Sequence, residues 1–184
     1  LEFQDDASGT AVSINMGDGD NQFDLADHKT LSADSFSLIS GSGVDLIDVN
    51  GLILGNRIDI GSGGNNDTIN IIGTLRDTDA SSDFDVDIIT LDGGADDDTI
   101  TLSAKEITGR ASIYGASGND DLSVISLLTR IEDLDLDGGE GQDYYYIQTT
   151  NVDINGADAD YVINVHDSGT DANDYDQLVV DGTS

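Results

Sequence analysis

The chain has no cysteine, no proline and no tryptophan, and only 6 Lys and Arg among its 184 residues. Without cysteine there can be no disulfide and no thiolate metal site. Six bases make no basic footprint, so nucleic acid is not a partner, and an anionic membrane surface is disfavoured for the same reason. Without proline, every backbone N–H is available to a hydrogen-bond ladder. No apolar run approaches the roughly 18 residues of a membrane span, and no signal peptide is recognisable. Leu1 is not an initiator methionine, so the chain reads as a processed or excised fragment of a longer array, with Leu1-Glu2-Phe3 as a cloning remnant. Apolar residues make up 37% and aromatics 5%, which is low for a globular core. By itself that composition permits disorder in the absence of a ligand.

Acid is what the chain does have. Its formal net charge is -32, from 38 acidic residues, of which 34 are Asp and only 4 are Glu. A merely solvated surface would mix the two. Asp has the shorter side chain, favours turns and can aim its carboxylate back at the backbone. Dense turn carboxylate has divalent cations as its natural counterpart.

Glycines cluster, and each cluster leads to an acid and then to alternating apolar residues. Aligned nine-residue windows read MGDGDNQFD from Met16, SGSGVDLID from Ser40, SGGNNDTIN from Ser62, GGADDDTIT from Gly93, GASGNDDLS from Gly115 and GGEGQDYYY from Gly138, with a looser DANDYDQLV from Asp171. The sixth positions are Asn21, Asp45, Asp67, Asp98, Asp120, Asp143 and Asp176, spaced by 24, 22, 31, 22, 23 and 33 residues. The base period is therefore 22–24, with insertions of about ten residues, one including Arg76 to Phe84 and one between Asn151 and Asp174. Two and four residues after each sixth position stand apolar pairs, such as Ile47/Val49, Ile69/Ile71 and Leu178/Val180. Pairs such as Phe36/Leu38 and Ile58/Ile60 precede the windows. Period-two alternation predicts strands on both flanks of each turn. Further apolar residues in the return, among them Leu52, Leu54, Ile107, Leu127 and Leu128, predict a short third segment. An antiparallel sandwich also has strands every 8–12 residues, but nothing in it would repeat one turn sequence every 23. One repeat cannot bury its own apolar face, whereas stacked repeats can. The expectation is one all-β domain over residues 1–184, with repeats over about 12–181. It is a right-handed parallel β-solenoid of about seven coils, roughly 30 Å long at the parallel-strand spacing.

The windows resemble the calcium-binding nonapeptide G-G-x-G-x-D-x-U-x of RTX (repeats-in-toxin) β-rolls. Gly138 to Tyr146 matches throughout, Gly115 to Ser123 departs only at Ala116, and Ser40 to Asp48 keeps Gly41, Gly43, Asp45 and Ile47. The resemblance implies Ca²⁺ held between successive turns. The implied site residues are the glycines Gly41, Gly63, Gly94 and Gly139 at the second position and the sixth-position residues Asn21, Asp45, Asp67, Asp98, Asp120, Asp143 and Asp176. At the fourth position they are Gly19, Gly43, Asn65, Asp96, Gly118, Gly141 and Asp174. Glycine lets such a turn take positive φ and point carbonyls inward, and Ca²⁺ takes six to eight hard oxygens. A standard β-roll carries a motif at both bends of an 18-residue coil. Here one motif per 22–24 residues implies a single ion column along one edge. The seven windows hold 16 acids and no Lys or Arg. The six bases Lys29, Arg57, Arg76, Lys105, Arg110 and Arg130 all lie elsewhere.

Other chemistry has little support. His28 and His166 lack a second ligand at zinc-like spacing. Ser/His/Asp sets can be assembled at will from so many Ser and Asp, so none carries weight. Tyr145 is expected inward, with Tyr144 and Tyr146 outward. The functional expectation is a non-enzymatic, calcium-stabilised structural or adhesive module of a large secreted or cell-surface bacterial protein, which stacks on neighbouring repeats or on itself. Two alternatives stand beside it: a secretion and folding module of an RTX enzyme, and a glycan-binding module.

Overall fold

The computed structural model describes residues 2–3, 7–76, 88–125, 130–149, 162–170 and 175–182. Asp174, Leu127, Leu128 and most of both insertions lie outside the described residues. The chain runs through β1 (Glu2–Phe3), β2 (Ala7–Gly17), β3 (Gln22–Leu25), β4 (Thr30–Ser40), β5 (Leu46–Val49) and β6 (Leu52–Leu54). There follow β7 (Arg57–Gly64), β8 (Thr68–Ile71), β9 (Thr74–Arg76), β10 (Ile88–Ala95), β11 (Thr99–Leu102) and β12 (Glu106–Ser117). The last strands are β13 (Asp121–Ile125), β14 (Arg130–Glu140), β15 (Tyr144–Thr149), β16 (Val162–His166) and β17 (Gln177–Gly182). The described residues contain no helix, and therefore none long and apolar enough to cross a membrane.

These strands form two sheets in which every named pairing is parallel. The strands that follow the turn windows line up, with β1 added at one end, as β1-β3-β5-β8-β11-β13-β15-β17. The strands that precede the windows make the other sheet, β2-β4-β7-β10-β12-β14-β16 in pairing order. Each window thus carries the chain from one sheet to the other. The register superimposes equivalent positions, with Ile47 beside Ile69, Ile69 beside Ile100, Ile100 beside Leu122 and Leu122 beside Tyr145. The 31-residue step between Asp67 and Asp98 does not disturb it, since Thr68 still pairs with Thr99.

The alternation does what period two requires. Phe23, Leu25, Ile47, Val49, Ile69, Ile71, Ile100, Leu102, Leu122, Val124, Tyr145 and Ile147 are buried from the first sheet. Phe36, Leu38, Ile58, Ile60, Leu91, Ile113, Leu134 and Leu136 are buried from the second. Tyr145 points inward, and its neighbours Tyr144 and Tyr146 are less buried. The expected third segment exists as β6, β9 and the first residues of β4 and β12, stacked as Thr30–Leu52–Thr74–Glu106. Its inward residues are Leu31, Ile53, Leu75 and Ile107. Leu52 and Leu54 are only half-buried, because Ile53 takes the core position between them. The last layer departs from the pattern. Leu178 and Val180 keep the register of Tyr145 and Ile147, yet stand 51% and 59% exposed, because no further layer packs on them.

Candidate metal centre

The turns stack as closely as the strands. Position four has positive φ in all six described windows, at Gly19, Gly43, Asn65, Asp96, Gly118 and Gly141. Asn65 and Asp96 take it at 75° and 74°, in the left-handed region that Asn and Asp tolerate better than other side chains. Position two has positive φ at Gly17, Gly63, Gly94, Ala116 and Gly139, but not at Gly41. A second demand falls on Gly118 and Gly141. A Cβ on Gly118 would run into the Asp96 carbonyl of the preceding turn, and one on Gly141 into the Gly118 carbonyl. The glycines thus serve close stacking of turn on turn as well as the turn conformation.

The sixth positions form a continuous ladder. The backbone amide of Asn21 donates to Asp45 Oδ1 (2.6 Å), that of Asp45 to Asp67 Oδ1 (2.8 Å) and that of Asp67 to Asp98 Oδ1 (2.7 Å). The amide of Asp98 donates to Asp120 Oδ1 (2.8 Å), that of Asp120 to Asp143 Oδ1 (2.9 Å) and that of Asp143 to Asp176 Oδ1 (2.9 Å). Each carboxylate therefore reaches back one turn. Position five forms a partial ladder in the opposite direction. Asp20 accepts from the Val44 amide (3.0 Å), Asp97 from the Asn119 amide (2.8 Å), and Asn119 Oδ1 from the Gln142 amide (3.0 Å). Asp96 also accepts from the Asn65 amide (3.2 Å).

These hydrogen bonds leave charge uncompensated. Asp45, Asp67, Asp98 and Asp120 are at most 2% exposed, and among the described residues none of the salt bridges reaches them. The second oxygens of Asp67, Asp98 and Asp120 are buried and accept no hydrogen bond. Buried, unpaired carboxylate is costly. Burial pushes the Asp98 carboxyl up to about 7; the Asp67 amide pulls it back, while the neighbouring Asp120 and Asp67 carboxylates push it further up. Burial likewise takes Asp120 to about 6, with the Asp98 amide opposing and Asp143 adding to the rise. Asp67 is raised for the same first reason.

Among the described residues no group of three or more His, Asp or Glu side chains converges on one point. The turns of Asp45, Asp67, Asp98, Asp120 and Asp143 each contribute one buried sixth-position carboxylate, so any ion held here would draw its remaining ligands from turn carbonyls and from the adjacent turn. The histidines lie apart from the column, His28 3.3 Å from Asp27 and His166 3.6 Å from Asp137. Bases pair with acids on the outer faces, as in Arg57–Asp59 (2.6 Å) and Lys105–Asp27 (3.2 Å).

Two features escape the sequence reading. The first window position matters, because Ser40 Oγ donates to Asp45 Oδ2 (2.5 Å). The Asn21 side chain donates from Nδ2 to the Gly17 carbonyl (3.0 Å) and to the Gly19 carbonyl (2.5 Å) of its own turn. The one signal available was the residue pattern itself, Ser or Gly at position one and Asn in place of Asp at position six. No protein-family model, no curated protein and no solved structure matches the chain.

Proposed function

We propose that the two sheets wind as a right-handed parallel solenoid of about seven coils, and that the turn column along one edge holds calcium. The chain is then a non-catalytic, calcium-stabilised structural or adhesive module of a secreted or cell-surface protein. The carrying observation is the buried, unpartnered Oδ2 of Asp98 and Asp120 in a stack of like charges. Right-handedness follows from the near-universal hand of parallel crossovers. The donor set is all oxygen, which suits Ca²⁺. The sixth-position Asp residues would hold the ion from two neighbouring turns, with carbonyls of positions two and four completing its shell. A bound cation would offset the burial and the like-charge repulsion that together lift the Asp98 and Asp120 pKa values.

The compartment follows from the affinity such a site needs. Extracellular calcium modules work at about 10⁻⁴–10⁻³ M, a range that would keep the column empty in a cell and filled outside it. Exposure of Leu178 and Val180 in the last layer supports stacking on a neighbouring repeat or a second copy, since an uncovered parallel edge invites pairing. The test is far-UV circular dichroism during a calcium titration at neutral pH, with magnesium as the control. A coil-to-β transition with calcium and none with magnesium supports the reading. A spectrum that is fully β in EDTA and indifferent to calcium defeats it.

A further inference from the structure

Successive turns do not present the same atoms to an ion, and the difference follows window positions one and six. At Gly93 and Gly115 position one has no side chain, and the carboxylates of Asp98 and Asp120 fold over it. An added Cβ on Gly93 would lie 2.5 Å from Asp98 Oδ2, and one on Gly115 would collide with Asp120 Oδ2. These oxygens have no donor. In the second turn position one is Ser40, whose hydroxyl donates to Asp45 Oδ2 (2.5 Å) while the Asn21 amide donates to Oδ1 (2.6 Å). Both Asp45 oxygens are therefore satisfied by the chain itself. In the first turn Asn21 replaces the acid, and its NH₂ group spans the Gly17 and Gly19 carbonyls. An amide NH₂ is electropositive, so it gives those carbonyls what a cation would. Ser62 is intermediate. Its hydroxyl donates to the Gly93 carbonyl (2.8 Å), and it can serve Asp67 fully only by giving that bond up.

We propose that the first two turns are sealed by Asn21 and Ser40 and take no calcium, and that uptake is confined to the later turns, above all those of Asp98 and Asp120. This rests on the calcium reading above. The strands around the sealed turns, β3 and β5, bury Phe23, Leu25, Ile47 and Val49. They form a metal-independent block on which the ion-requiring turns assemble. Metal dependence is thus graded along the chain, and calcium sets how far the ordered stack extends.

Two measurements test this. The first counts calcium ions bound per chain at saturation, in the wild type and in an Asn21→Asp/Ser40→Gly variant. Unsealing the two turns should raise the count by at least one, whereas an unchanged count would overturn the proposal. The second is hydrogen exchange on the wild type in EDTA at neutral pH, which does not depend on any variant folding. Amides of 22–25 and 46–49 should exchange about tenfold or more slowly than those of 99–102 and 121–125. Equal exchange in both blocks would overturn the proposal even if calcium binds. A wild type that binds no calcium at all would overturn the calcium reading together with this one.

Discussion

Without calcium, this protein's stability should fall as pH rises, opposite to the usual behaviour of native carboxylates. The groups responsible are Asp98 and Asp120, whose folded pKa values stand at about 7 and about 6 against an ordinary 3.8. A raised carboxyl pKa means that the folded state binds more protons than the unfolded chain across that interval. Stability is then intact near pH 4 and is lost as pH climbs through about 7. At about 1.4 kcal/mol per pKa unit, the two shifts correspond to roughly 4 and 3 kcal/mol. Stacked carboxylates titrate as a group, so the two losses are shared between the sites and do not simply add. Against a typical total of about 5–15 kcal/mol, the shared loss is enough to open the turns of Asp98 and Asp120 at neutral pH. The assay is urea or thermal denaturation in EDTA from pH 4.5 to pH 8, repeated for Asp120→Asn and for the surface control Asp34→Asn. Asn keeps the acceptor that receives the Asp98 amide but carries no charge. Asp120→Asn should therefore flatten the pH profile in EDTA and, in saturating calcium at pH 8, destabilise by several kcal/mol through loss of a ligand. Asp34→Asn should stay within about 0.5 kcal/mol throughout. Stability in EDTA that is flat, or that rises from pH 4.5 to pH 8, would refute the reasoning.

Other perturbations follow from the same packing. Gly118→Ala should cost more than about 2 kcal/mol in melts with or without calcium, because φ is 138° and the new methyl meets the Asp96 carbonyl. Ile69→Ala removes a 1% exposed core side chain and should cost about 2–5 kcal/mol by chemical denaturation. Tyr145→Phe deletes a hydroxyl that accepts from the Gly138 amide (2.7 Å) and donates to the His166 carbonyl (3.2 Å). It should cost about 1–3 kcal/mol, and near-neutrality would show that water satisfies both groups.

Much of this architecture was legible from residue order, and the limits have physical causes. Pairs such as Ile69/Ile71 betray a strand because only period two puts both on one face, and the structure buries both. The turns were legible because glycine recurs where positive φ is needed, and even the degenerate Asn65 and Asp96 proved to hold that conformation. The phase of the return strand was not legible. Leu52-Ile53-Leu54 is apolar throughout, so alternation gives no face, and Ile53 turned inward. The column of sixth-position acids was foreseen, but its amide ladder was not, since spacing alone does not say which oxygen meets which N–H. The contributions of Ser40 and Asn21 depend on single rotamers, which composition cannot encode. Leu178 and Val180 carried the core pattern and remained exposed, because a periodic sequence marks inward positions without saying whether a further layer covers them.

The most direct test of the central claim is an anomalous-scattering map from crystals grown in calcium. A row of calcium peaks should run along the turn edge, with peaks beside the Asp98 and Asp120 carboxylates and none between the turns of Asn21 and Asp45. Ordered turns without any calcium peak along that edge would contradict the account, leaving the stacked carboxylates to be stabilised by protonation and backbone amides alone.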